Sequence, residues 1–265
     1  MSTNDDLVPI LKKLRLSGLL HTLSLRTRQA VEDSLAFEEF LFRLLGDEVE
    51  RRDAKQLEMR LRRALFEHAK TIEDFDFTFN PKVPKTKIID LATGQFVARQ
   101  ENVLLCGPSG VGKSHLAQAL GHRACRAGHS ALYVTANKLF VELRAARADR
   151  SYDRKLARVT SPDLLIVDDL GLRPLRDEEP EDLYEIIRQR YEHGATLITS
   201  NRAIEEWYPL FGDELLASAA MDRLLHHCHV LVMEGHSYRN PPPRRRGAAA
   251  ADERKPLADA GAPPS

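Results

Sequence analysis

Apolar residues recur at three- and four-residue steps through the first part of the chain. Leu7, Ile10, Leu11, Leu14 and Leu19 form one run; Phe37, Phe40, Leu41, Leu44, Leu45 and Val49 form another, continued by Leu57, Leu61 and Leu65. That period marks amphipathic helices. The charges between them, Glu48, Glu50, Arg51, Arg52, Asp53 and Lys55, predict a solvated outer face. Residues 1–73 are therefore expected to form a small all-α N-terminal domain, which should pack on another body because so few helices bury little core alone. Between Asp74 and Arg99 the pattern breaks up around Pro81 and Pro84, which sets the domain boundary. From Asn102 onward, short apolar runs alternate with helical stretches. The runs Val103–Cys106, Ala131–Thr135, Leu164–Val167, Ala195–Thr199 and Val230–Val232 suit strands of a parallel sheet covered by helices on both faces. An α/β domain is expected over residues 74–240. Beyond it, residues 241–265 are rich in proline and alanine, lack an apolar face and read as a disordered tail, with Arg244, Arg245 and Arg246 solvated.

Composition narrows the class. The 265 residues carry 39 Lys and Arg against 39 Asp and Glu, so no global cationic field draws the chain to nucleic acid, and any such binding must come from a local patch. No apolar run approaches a membrane span, and the opening MSTNDDLVP lacks the pattern of a signal peptide. The three cysteines, Cys106, Cys125 and Cys228, are odd in number and widely spaced. They argue against a disulfide framework, and a cytoplasmic protein is expected.

The chemistry begins at Gly107-Pro108-Ser109-Gly110-Val111-Gly112-Lys113-Ser114, a full match to G-x-x-x-x-G-K-[ST]. An apolar strand enters it and an amphipathic helix, opening with His115 and Leu116, leaves it. Glycines let the backbone wrap around phosphate oxygens, whose charge is met by N–H groups and the helix N-terminus. Lys113 is expected on the β- and γ-phosphates of ATP, the Ser114 hydroxyl on Mg²⁺, and His115 among the residues that bind the nucleotide. The run Leu164-Leu165-Ile166-Val167-Asp168-Asp169 supplies the second half, an apolar strand ending in carboxylates. Asp168 is expected to hold Mg²⁺ and Asp169 to act on an attacking water as general base. Asn201, after a third strand, is placed to orient that water or sense the γ-phosphate. Phe75, Phe77 and Phe79 could cover the adenine or simply pack. A small-molecule kinase would need an acceptor pocket and a lid; paired carboxylates at a strand end fit water attack better.

The order of these motifs resembles the AAA+ superfamily, in its initiator and helicase-loader branch. The blocks LKKLRLSGLLHTL, TIEDFDF, ENVLLCGPSGVGKSHLAQALG, LLIVDDLG, TLITSNRAIEEW and FGDELLASAAMDRLLHHCHVLVMEGHSYR are similar to the IstB-like family, the ATP-binding helper proteins of certain insertion sequences. The resemblance implies a P-loop core, slow DNA-coupled ATP hydrolysis, an ATP-dependent homo-oligomer on largely non-specific duplex DNA, and a partner transposase. A DnaC-like replicative helicase loader is the alternative. The resemblance also implies an arginine finger at Arg223, acting on a neighbouring subunit, and a nucleotide contact in its own subunit at Arg239. Most of the superfamily has Glu where this chain has Asp169, whose shorter reach suits slow turnover. In that branch the segment before the Asp168 strand faces DNA. Here Arg144, Arg147, Arg150, Arg154 and Arg158 would form a basic stripe if one helix ran through Ser151 and Asp153.

Overall fold

The computed structural model describes residues 3–239; the tail, with Arg244, Arg245 and Arg246, lies outside the described residues. Three helices come first: α1 (Thr3–Lys13), α2 (Ser17–Glu32) and α3 (Phe37–Ala64). Leu11, Leu19, Leu23 and Leu44 bury one another, with Leu16, Leu20 and Phe40 packed around them. The stripe that α3 offers to α2 is narrow and runs at four-residue steps through Phe40, Leu44 and Glu48. Glu48, expected on the outer face, is in fact buried, and Leu41, Leu45 and Val49, expected on the apolar one, are exposed, as is Phe37 at 90%. The physical reason lies in α2. Gly18 approaches α3 so closely that a Cβ there would stand 2.6 Å from Glu48 Oε2. Its backbone N–H donates to that oxygen at 2.5 Å. Arg51 and Arg52 close on the same carboxylate at 2.9 and 2.7 Å. Arg51 above all, with Arg52 and the Gly18 amide, holds the Glu48 carboxyl down at about 2 in spite of its burial.

Helix α3 does not stop at the small unit. Its last turns lie against the main body, where Ala64 is fully buried and Leu57, Leu61 and Phe66 pack on the same core as the sheet, so packing crosses the boundary expected at residue 73. Leu65 ends the helix in the left-handed region, at φ 58°. The segment after it, broken by prolines in sequence, carries two short helices that periodicity did not reveal, α4 (Lys85–Leu91) and α5 (Gln95–Ala98).

The rest alternates strand and helix: β1 (Asn102–Cys106), α6 (Lys113–Arg126), β2 (Ala131–Thr135), α7 (Ala136–Ala148), α8 (Tyr152–Thr160), β3 (Leu164–Leu170), α9 (Glu179–Arg190), β4 (Ala195–Ser200), α10 (Glu214–Leu225) and β5 (Cys228–Val232). The strands form one parallel sheet in the order β2-β3-β4-β1-β5. Alternate residues serve opposite faces. Val103, Leu105, Tyr133, Ile166 and Leu197 pack under α6, while Leu104, Val134, Val167 and Ile198 pack under α7, α9 and α10. This order brings the C-terminal ends of β1, β4 and β3 side by side, the edge at which open parallel sheets bind ligands.

The expected basic stripe is not one helix. The chain breaks between α7 and α8, with Arg150 at φ 60°. Arg144 pairs with Glu179 at 3.1 Å and Asp177 at 3.4 Å. Arg147 pairs with buried Asp182 and lies over the Tyr152 ring at 4.1 Å. These two tie α7 to α9; Arg150, Arg154 and Arg158 are exposed. No helix among the described residues is long and apolar enough to cross a membrane.

Glu48→Gln should loosen α2 from α3 by about 2 kcal/mol, because the Gly18 amide and two guanidinium groups lose a charged acceptor. Amide exchange across Ser17–Glu32 should quicken while sheet amides stay unchanged; equal rates in both proteins would refute the assignment. In the wild type, the depressed carboxyl gives stability that is full above its ordinary value of 4.5 and is lost as pH falls through about 2.

Candidate functional site

Strand β1 ends at Cys106, the loop 107–112 follows, and α6 begins at Lys113 with Gly112 as its N-cap at φ 98°. A Cβ on Gly112 would meet the Phe75 ring at 2.4 Å, and one on Gly107 would meet the Met233 carbonyl at 2.1 Å. The loop is therefore packed from outside as well as wound tightly. Val111 is fully buried, whereas Pro108 and Ser109 are exposed at the tip. Ser114 stands in the first turn of α6, half-buried. Lys113 is buried, and its Nζ donates to the carbonyls of Gly107 and Pro108, both at 2.8 Å. Burial lowers the pKa of this ammonium, an effect that the charges of Asp169 and Asp168 oppose and that of Arg239 reinforces. The amide groups of the loop, the helix N-terminus and a lysine can together surround a phosphate.

The carboxylates come from an irregularity in β3. Val167 stands opposite Ile198 and Leu170 opposite Ser200, so Thr199 alone faces both Asp168 and Asp169. In a regular strand two consecutive side chains point to opposite faces. Here the extra residue is taken up by Asp169 in the left-handed region, at φ 59°, and such a bulge re-aims its side chains. Thr199 fills the mismatch: its hydroxyl donates to Asp168 Oδ1 and accepts the Asp169 N–H at 2.9 Å. The other Asp168 oxygen accepts the Tyr133 hydroxyl at 2.7 Å. Burial, then the bond to Asp168, raises the Tyr133 phenol, which keeps it a donor. Asp169 is also raised, by burial and then by the Asp168 charge, with Lys113 and Arg239 opposing. Asp168 and Ser114 are hard oxygen donors, a set that suits Mg²⁺.

Asn201 follows β4 and lines a cleft of about 350 Å³ with Cys106, Gly107, Pro108 and Glu205. It is thus beside the loop, between the two motifs. Arg239 sends its charge onto both Lys113 and Asp169. The ring of His115 turns away, bonding the Thr71 carbonyl at 2.8 Å and meeting Phe75 edge-on; it builds the wall of the site and does not face the loop. Arg223 lies on α10, where it donates to the Ala219 carbonyl at 2.8 Å and stands over the Tyr184 ring. The structure does not bring it to Lys113 of its own chain.

Two segments distant in sequence close over the loop. Tyr238 N–H donates to the Gly110 carbonyl at 2.9 Å, and its hydroxyl donates to the Asp76 carbonyl at 2.5 Å. Phe75 and Phe79 flank its ring at 5.5 and 4.4 Å. Buried Asn80 exchanges two bonds of 2.8 Å with the backbone of His236. Thr199, Tyr133, Asn80 and Tyr238 escaped sequence reasoning. Thr199 sits in the quoted TLITSNR block and could have been found there; Tyr133 looks like any aromatic strand residue.

The profile of the family described as IstB-like ATP binding protein matches residues 9–245. A Mycobacterium tuberculosis chain named as an ATP-binding protein in an insertion sequence is 43% identical over 230 residues, 86% of this chain and 92% of that one. A Pseudomonas aeruginosa chain named as the ATP-binding protein of insertion sequence IS21 is 38% identical over 234 residues, 88% of each. Among solved structures, DnaI superposes with a TM-score of 0.54 at 24% identity, covering 63% of this chain and 92% of that one. AMPPCP-bound DnaA from Aquifex aeolicus gives a TM-score of 0.54 at 18% identity, over 64% and 51%. These structural likenesses speak for the fold alone, a parallel sheet flanked by helices.

Thr199→Val keeps the shape but leaves the Asp169 N–H and one Asp168 oxygen without their partner. The denaturant midpoint should fall by an amount equal to about 2–3 kcal/mol, and Thr199→Ser should recover most of it. An unchanged midpoint in the valine variant would remove Thr199 from this role.

Proposed function

The chain belongs to the family of IstB-like ATP-binding proteins, and from that premise we propose that it is a Mg²⁺-dependent ATPase that assembles on DNA and serves a partner transposase. The observation that carries this reading is the convergence of Lys113, Asp168 and Asp169 at the C-terminal ends of β1 and β3, on either side of β4, with both carboxylates acting on Lys113 and with Asp168 and Lys113 acting on Asp169.

Lys113 exchanges the Gly107 and Pro108 carbonyls, weak neutral partners, for the β- and γ-phosphates of ATP, which are charged and stronger. The loop amides from Gly107 to Gly112 wrap the phosphate chain. Ser114 and Asp168 would hold Mg²⁺, which would supply positive charge to offset that developing on the phosphate oxygens. Asp169, whose carboxyl is held above its ordinary value, takes the proton of the attacking water. Its short side chain gives slow turnover, which suits a switch. Asn201 orients the water or reads the γ-phosphate from β4, and Arg239 contacts the nucleotide within its own chain. The aromatic group around Phe75 and Tyr238 covers the base.

Arg223 acts on the site of the next copy. Its place on α10, away from its own Lys113, is what an arginine used between subunits requires, and ATP then becomes the bridge that holds a homo-oligomer together. Exposed Arg150, Arg154 and Arg158, with no base-reading group among them, supply the local patch for largely non-specific duplex binding. The N-terminal helices serve DNA, the transposase or both.

Lys113→Ala should abolish ATP binding. Asp169→Asn should keep binding and lose hydrolysis by about 100-fold or more. Sedimentation with ATP should show assembly on duplex DNA that Lys113→Ala abolishes and Arg223→Ala weakens, while Arg223→Ala leaves nucleotide binding by single copies intact. Preference for single strands, or assembly indifferent to Arg223, would overturn the corresponding part of the reading.

A further inference from the structure

Asp168 is reached from outside the sheet by a path of packed side chains. Tyr133, on β2 and 4% exposed, donates to Asp168 Oδ2 at 2.7 Å. Its ring lies 6.4 Å from that of Phe66. Phe66 follows the end of α3, stacks on His122 at 4.3 Å, and fills the space over Gly121, where a Cβ would come within 2.6 Å of the Phe66 ring. The end of α3 is fastened to α6 on both sides of Phe66. Arg60 donates to the Cys125 carbonyl at 3.0 Å, and the His68 N–H donates to Gln118 Oε1 at 3.0 Å.

We propose that Tyr133 is a positioning residue for Asp168, and that Phe66 makes its placement depend on how α3 is seated, so that the N-terminal helices tune the metal affinity of the nucleotide site. The inference rests on the reading of Asp168 as a metal-holding carboxylate. Two hydroxyls orient that carboxylate, and neither adds charge. Thr199 comes from the neighbouring strand and moves only with the sheet. Tyr133 reaches from β2, the strand on the other side of β3, and of the two side chains it is the one that packs on a residue outside the sheet and α6. Whatever moves α3, a bound DNA or a partner on its exposed apolar residues, therefore reaches Asp168 through contacts of van der Waals stiffness. Donors that hold a ligating carboxylate matter to metal affinity by one to two orders of magnitude.

The test titrates Mg²⁺ against binding of a fluorescent ATP analogue by the full chain, with a parallel titration in EDTA. Tyr133→Phe, which preserves the ring, should need about tenfold more Mg²⁺ for half-maximal binding, with affinity in EDTA unchanged. Phe66→Leu should move the Mg²⁺ requirement in the same direction by about threefold. An unchanged requirement in Tyr133→Phe, or an equal loss with and without Mg²⁺, overturns the positioning role. A shift in Tyr133→Phe with none in Phe66→Leu overturns the link to α3 and leaves Tyr133 in place. Failure of the underlying reading looks different: wild-type binding would ignore Mg²⁺, or Lys113→Ala would bind as well as wild type, and the inference would fall with it.

Discussion

Between Val167 and Leu170, strand β3 carries two residues where β4 carries one, and the hydroxyl of Thr199 closes the mismatch by bonding the Asp168 carboxylate and the Asp169 amide. The placement of both carboxylates follows from that local arrangement. Without it, Asp168 and Asp169 would leave opposite faces of the sheet. With it, both carboxylates act on Lys113, the first residue of α6 after the phosphate loop. The cost is a non-glycine residue in the left-handed region, a kind of strain that persists where surrounding structure holds it.

The loop that meets these carboxylates is constrained from the other side. Met233, Ser237 and Phe75 stand where side chains on Gly107, Gly110 and Gly112 would have to be. The glycines thus serve two demands at once: tight winding around phosphate oxygens, and close approach of the segments that cover the site. Those segments come from before and after the sheet and are joined to each other by Asn80 and Tyr238. Rearrangement of either segment would be felt at the loop, because the contacts are backbone hydrogen bonds and ring packing of fixed length.

The N-terminal helices follow a different logic. Their own core is four leucines deep, too small to stand alone. What holds them is the length of α3, which begins in one unit and ends in the core of the other, together with the charged cluster at Glu48. Much apolar surface is left facing outward, at Phe37, Phe42, Val31 and Val49. A surface of that kind suits partner binding more than isolation.

Features written in contiguous residues were legible in the chain. Helical periodicity, the strand runs, the phosphate loop and the Asp168–Asp169 pair depend on neighbours a few positions away, so the strands appeared within three residues of their observed ends and the fold class followed. The local pattern around Glu48 hides its burial, because that burial is decided by Gly18, thirty residues earlier. The spacing of Arg144 and Arg147 suggests a free stripe because the carboxylates that hold them, Glu179 and Asp182, lie thirty-five residues on. Tyr133 gave no signal at all: its role exists only because β2 and β3 are neighbours in register. The sequence by itself determined which segments fold and which chemistry they carry. Tertiary structure decided which charges are spent on each other and which face the site, because side chains meet across strands and helices at distances that no local pattern encodes.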